Sequence, residues 1–132
     1  MSTLNVDALV GNTSANAITV RGEGSATTSL QQGLCKAWIY FRGTGTIAIS
    51  DSHNITSITD NGTATYTVTI ANDMGNATYA LSIVGDNSGG RQNTYGFALV
   101  YAVGSFQIRM HDDESTVIDT TATGCTVHGD LA

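Results

Sequence analysis

Ala64-Thr65-Tyr66-Thr67-Val68-Thr69-Ile70 is the stretch that decides the fold. Tyr66, Val68 and Ile70 fall on one side of an extended chain, and Thr65, Thr67 and Thr69 on the other. An alternation of period 2, with a β-favouring polar face, specifies a half-buried antiparallel strand. Phe106, Ile108 and Met110 alternate with Gln107, Arg109 and His111 in the same way. Thr46 to Ser50, His53 to Thr59, Thr78 to Val84 and Thr123 to His128 read as further strands.

Two segments, Cys35 to Phe41 and Tyr95 to Val103, are apolar on both faces. Strands of that kind belong between layers or at subunit contacts. Turn chemistry separates the runs. Asp60-Asn61-Gly62 carries the Asn-Gly signal of a tight hairpin, Gly104-Ser105 makes a short reversal, and Gly85 to Asn93 is the longest connection. Strands at this spacing predict an all-β protein, an antiparallel β-sandwich or jelly-roll-like domain over residues 34–132. Residues 1–33 hold only weak runs, and are read as an extended N-terminal arm for docking or oligomerisation through Leu4, Val6, Leu9, Val10, Ile18 and Val20.

Composition narrows the class. Thr leads with 20 residues, Pro is absent, and charged residues make up 12%, about half the usual ~25%. No run of about 18 apolar residues is present, so no transmembrane helix is expected. The start lacks a charged segment followed by an apolar core, so no secretory signal is expected, and the two cysteines are read as free buried thiols. A net charge of −6, with Lys36 the single lysine, argues against nucleic-acid binding. Strands apolar on both faces, with so few charges to guard their edges, predict closure against copies of the same chain.

The stretch Lys36-Ala37-Trp38, Phe41-x-Gly43-Thr44-Gly45-Thr46-x-Ala48-Ile49, Ser52-x-Asn54-Ile55-x-Ser57-Ile58-Thr59-Asp60-Asn61-Gly62-Thr63 and Tyr66-Thr67-Val68 resembles a recurring module of tailed-bacteriophage virion proteins. It is similar to segments of tail fibres and other structural proteins, notably of marine phages. The opening Met1-Ser2-Thr3-Leu4-Asn5-Val6-Asp7 also looks like the start of such proteins. The resemblance implies a non-enzymatic virion protein made in the host cytoplasm, of the capsid-decoration, head-fibre or tail-fibre/knob type. By analogy with phage fibres it implies a homotrimer partnered with capsid or tail proteins and aiding host attachment. It implies no catalytic residue and no cofactor.

Each cluster of chemistry-bearing residues has a plain reading beside a functional one. His111-Asp112-Asp113-Glu114 offers oxygen ligands for a divalent cation, but no EF-hand spacing surrounds it, and a solvated turn is favoured. His53, His111 and His128 with Cys35 or Cys125 lack zinc-ligand spacing. Gly85 to Gly90 lacks the Lys-Ser/Thr of a phosphate loop, and a surface loop is the reading. Asn12, Asn54, Asn61 and Asn76 sit in glycosylation sequons, which an Asn- and Thr-rich chain produces by composition. Trp38 and Tyr40 form a stacking pair for sugars or bases, though Trp38, Tyr40, Phe41, Phe97, Leu99 and Tyr101 are read first as core or interface. The alternative function is a carbohydrate-binding module for host surface glycans, with Asn87, Arg91, Asn93 and Tyr95 as the contacts. No triad, carboxylate pair or metal motif supports an enzyme such as a depolymerase.

Overall fold

In a computed structural model of the protein, residues 3–14, 17–22, 24–86 and 94–132 are described. The chain divides into two units, Met1–Leu34 and Cys35–Ala132. Within the first unit, β1 (Thr19–Arg21) pairs antiparallel with β2 (Thr27–Ser29). A four-residue helical turn, α1 (Leu30–Gly33), follows, and the Ser29 side chain caps it by accepting from the Gln32 N–H. Leu4, Val6, Leu9, Val10 and Val20 are exposed, while Ile18 is half-buried and its carbonyl accepts from the Leu30 N–H.

The second unit holds eight strands: β3 (Ala37–Arg42), β4 (Ala48–His53), β5 (Ile55–Asp60), β6 (Thr65–Ile70), β7 (Ala80–Asp86), β8 (Tyr95–Ala102), β9 (Ser105–His111) and β10 (Ala122–His128). They form two four-stranded sheets, one ordered β4-β3-β10-β7 and the other β5-β6-β9-β8. Every pairing is antiparallel. Hairpins β3–β4, β5–β6 and β8–β9 each stay within one sheet, and the remaining connections pass between sheets. The protein is therefore an all-β sandwich.

Period 2 explains which side chains fill it. Ala37, Ile39 and Phe41 of β3 turn inward with Cys125 and Val127 of β10, and meet Tyr66, Val68 and Ile70 of β6 and Phe106, Ile108 and Met110 of β9. All are 3% exposed or less. Phe41 and Tyr66 meet across the two sheets edge to face, with ring centroids 5.0 Å apart, the geometry that aromatic quadrupoles favour.

One expectation is corrected, and a second is met on one face only within the chain. The Asn-Gly signal marks the β5–β6 hairpin, but residues 61–64 make a four-residue loop in place of a tight two-residue turn. Ala64 takes a left-handed φ of 58° there, and its N–H donates to the Asp119 carboxyl at 2.6 Å. That bond offsets the cost of the strained backbone. The run from Cys35 to Phe41 is not covered on both faces: Trp38 is half-buried and Tyr40 is exposed, both on the outer side of their sheet. Likewise Tyr95 to Val103 is an edge strand with its large side chains 37% to 53% exposed. Apolarity on both faces does not reveal which face the fold covers.

Gly43 leaves the space that Tyr66 needs. A Cβ on it would stand 2.1 Å from the Tyr66 hydroxyl oxygen. Gly43→Ala is expected to cost about 1–3 kcal/mol by overpacking, read from urea denaturation. Gly33→Ala, where a Cβ would meet nothing within 4 Å, should stay within about 0.5 kcal/mol of the parent.

Candidate functional site

The polar centre of the sandwich is structural. Tyr66 Oη donates to Asp119 Oδ1 at 2.7 Å, the same oxygen that holds the Ala64 N–H. Burial raises the Tyr66 pKa above its ordinary 10.0, and the hydrogen bond and charge of Asp119 add to the rise. The neighbouring Thr120 carbonyl accepts from the N–H groups of Gly43 and Thr44. The connection between β9 and β10 thus clasps both sheets. Burial also pushes the Cys125 thiol up to about 12, from an ordinary 9.0, so it is a packed thiol rather than a nucleophile. Cys35 Sγ lies against the carbonyls of Ala37 and Val127, and both cysteines are free thiols.

The acidic turn folds back on its own backbone. Asp112 is buried, and its Oδ1 accepts from the N–H groups of Glu114 and Thr116 at 3.0 and 2.9 Å. Among the described residues, no three His, Cys, Asp or Glu side chains gather where they could share a cation. Three of the sequon asparagines build turns. Asn54, at a φ of 56°, donates to the carbonyls of Lys36 and Asn72 and accepts from both N–H groups of Asn72. Asn61 donates to Thr67 Oγ1, and Asn76 accepts from the Thr78 N–H. A hollow of about 400 Å³ beside this Asn54–Asn72 latch is lined by Lys36, His53 and Leu131 as well.

Two surfaces remain. The first is β8, the outer edge of its sheet. Tyr95, Phe97, Leu99, Val100 and Tyr101 are all exposed along it. Tyr95 and Phe97 cover the His111 ring at 5.6 and 4.9 Å between centroids. His111 Nδ1 faces the Ser115 carbonyl at 3.0 Å, so this nitrogen donates. Nε2 is buried with no hydrogen-bond partner among the described residues. Tyr101 packs edge to face on Tyr79, whose hydroxyl lies 3.0 Å from the carbonyls of Ala102 and Ser105.

The second surface is a groove of about 300 Å³ on the outer face of the β4-β3-β10-β7 sheet, bordered by Trp38, Tyr40, Ser82, Val84, Gly124 and Thr126. Of the six residues read first as core or interface, Phe41 alone lies in the core. Trp38 and Tyr40 are gathered on this groove, and Phe97, Leu99 and Tyr101 on the β8 edge. Of the four glycan-contact residues, Asn87, Arg91 and Asn93 lie outside the described residues, and Tyr95 donates through its hydroxyl to Ser115 Oγ. Val84, Gly124 and Thr126 were not singled out from sequence, because only the pairing of β10 between β3 and β7 sets them opposite the aromatic pair. Comparison with protein-family models, with curated proteins and with solved structures returns no match.

Tyr66 and Cys125 are both neutral acids whose folded values lie above their unfolded ones. Their contribution to stability is fully present below pH 9.0, the ordinary thiol value, and is lost as the pH rises beyond it. The urea midpoint is expected to be flat near neutrality and to fall as the pH rises from 9.0 toward about 12. In native protein at about pH 8, iodoacetamide should leave Cys125 unmodified and should label it once urea is added.

Proposed function

We propose that this chain is a non-enzymatic structural protein of a bacteriophage virion, a small β-rich accessory of the capsid-decoration, head-fibre or tail-fibre/knob type. It closes with copies of itself into a homotrimer and docks on a capsid or tail protein through residues 1–33, where it aids host attachment. The observation that carries the self-association is β8. An edge strand presents unpaired N–H and C=O groups, and soluble proteins guard such edges with charge, Pro or cover. Residues 94–104, Thr-Tyr-Gly-Phe-Ala-Leu-Val-Tyr-Ala-Val-Gly, contain neither charge nor Pro. A second copy, apolar in the same places, is the occupant that covers them by isologous or ring-closing contact. The virion setting is supported by the sequence resemblance, and the docking role by the exposed Leu4, Val6, Leu9 and Val10 of the first unit.

A carbohydrate-binding module for host surface glycans is the second reading. It is favoured by one observation, the outward-facing Trp38 and Tyr40 on the walls of a groove.

Light scattering on the purified chain should give three times the 13.7 kDa chain mass. Val100→Lys, in the middle of the β8 edge, should release monomers with an unchanged far-ultraviolet dichroism spectrum. Ser57→Lys, on the opposite edge strand β5, should leave the mass unchanged. A monomeric parent at micromolar concentration would sink the self-association. Removing residues 1–25 should abolish attachment to virions while the second unit stays folded.

A further inference from the structure

Two cross-strand rows run over the outer face of the β4-β3-β10-β7 sheet. One is Asp51, Tyr40, Gly124, Val84; the other is His53, Trp38, Thr126, Ser82. Directly opposed residues in antiparallel pairs point to the same face. The two aromatics therefore stand on one side of Gly124 and Thr126, and Val84, 68% exposed, stands on the other.

The groove between them exists because position 124 has no side chain. A Cβ there would lie 3.3 Å from Val84 Cγ1 and 3.9 Å from Tyr40 Cδ2, and so would bridge the walls. The backbone at Gly124 does not take a left-handed φ, so conformation does not demand glycine. Val84 is exposed and has room to turn away, so the protein's own packing does not demand it either. Glycine inside a strand weakens the strand, and marks a place where something else approaches the backbone closely.

We infer that this groove is a binding subsite for a neutral saccharide, with one pyranose ring lying over Gly124 against Trp38 and Tyr40. The inference rests on the carbohydrate reading above and moves its seat away from the Gly85–Asn93 connection. Aromatic rings attract the C–H face of a pyranose, whose hydrogens carry partial positive charge toward the negative ring face. The sugar's hydroxyls then need polar partners at the margin, and the groove supplies the hydroxyls of Ser82 and Thr126, which face each other in one row. A volume of about 300 Å³ sits at the small end of ligand sites, which suits a single ring rather than a buried oligosaccharide. Charge selects within the class. Asp51 and Asp86 flank this face against Arg42, on a chain of net charge −6, so phosphorylated, sulfated or sialylated ligands and nucleotides are repelled.

Trp38 is the single tryptophan of the chain, so its emission reports on this groove and nothing else. The full-length protein is applied to an array of neutral and anionic glycans, and the neutral ones it retains are titrated while Trp38 fluorescence is read. Retention of neutral glycans and a saturable change in emission are expected. Tyr40→Ala and Gly124→Ala should each weaken binding by about tenfold, and Trp38→Ala should do the same by calorimetry, all with unchanged dichroism. Tyr95→Ala should bind as the parent does. Retention of no glycan overturns both the subsite and the carbohydrate reading. Binding lost in Tyr95→Ala but kept in Trp38→Ala and Gly124→Ala overturns the subsite and leaves the carbohydrate reading standing. A change of oligomeric mass in Trp38→Ala would assign the face to a subunit contact and overturn the subsite.

Discussion

The sandwich depends on one part-buried hydrogen-bonded group, the Asp119 carboxyl with Tyr66 and the Ala64 N–H. Tyr66 is fully buried between the sheets, and its hydroxyl would be a costly orphan without Asp119. Asp119 in turn lies on the connection that leads from β9 into β10. One side chain therefore sets the start of β6, the position of Phe41 through its ring contact, and the entry of β10 between β3 and β7. Gly43 and the Thr120 carbonyl close the same corner. Removing one partner from such a network leaves the other buried and unsatisfied, which costs more than the bond itself contributes.

The strands facing a core on one side and water on the other were legible from sequence. β6 and β9 alternate strictly because a Thr, Gln or Arg on one face cannot share the environment of Tyr, Val or Ile on the other. β3 and β8 were not, because neither face of Ala-Trp-Ile-Tyr-Phe or Phe-Ala-Leu-Val-Tyr is polar, and only the partner sheet decides which face is covered. Trp38 illustrates the point. It reads as a core or interface residue by type, and within the chain it lies on the outer face because Ile39 and Phe41 take the inner one. Asp119 carries no sequence signal at all. It is one acid among several near the acidic turn, and its role follows from a bond across more than fifty residues of chain, at a separation of 55. Asn54 was visible as a sequon and as one position of the resembling stretch; its left-handed backbone and its latch to Asn72 needed the fold.

The four edge strands are not alike. β4 carries Asp51 and His53, β5 ends in Asp60, and β7 ends in Asp86. Each places a charge where another strand would have to pair, and a charge on an edge disfavours pairing by desolvation. β8 has no charge from Tyr95 to Ala102. Its neighbour β9 supplies Arg109 and His111, but Arg109 donates to Thr65 and His111 is roofed by Tyr95 and Phe97. The residues that would have protected this edge are turned to other tasks. The net charge of −6 is carried by the rest of the molecule, which leaves β8 as the one uncharged edge of the four.

The two surfaces make opposite physical demands, and the fold keeps them on different sheets. Burying β8 requires a flat, uncharged margin whose backbone groups can be paired. The Trp38–Tyr40 groove requires a face that stays wet, since the Ser82 and Thr126 hydroxyls on its margin would be stranded under an apolar protein partner. Sheet order meets both demands. β8 lies at one margin of its sheet, whereas β10 lies inside the other, flanked by β3 and β7. A central strand has no backbone group left to pair, so a glycine there can open a hollow without inviting a neighbouring strand. Gly124 therefore sits on an interior strand and the uncharged run on an edge, so in the proposed assembly copies would meet on one sheet while the outer face of the other stays in solvent.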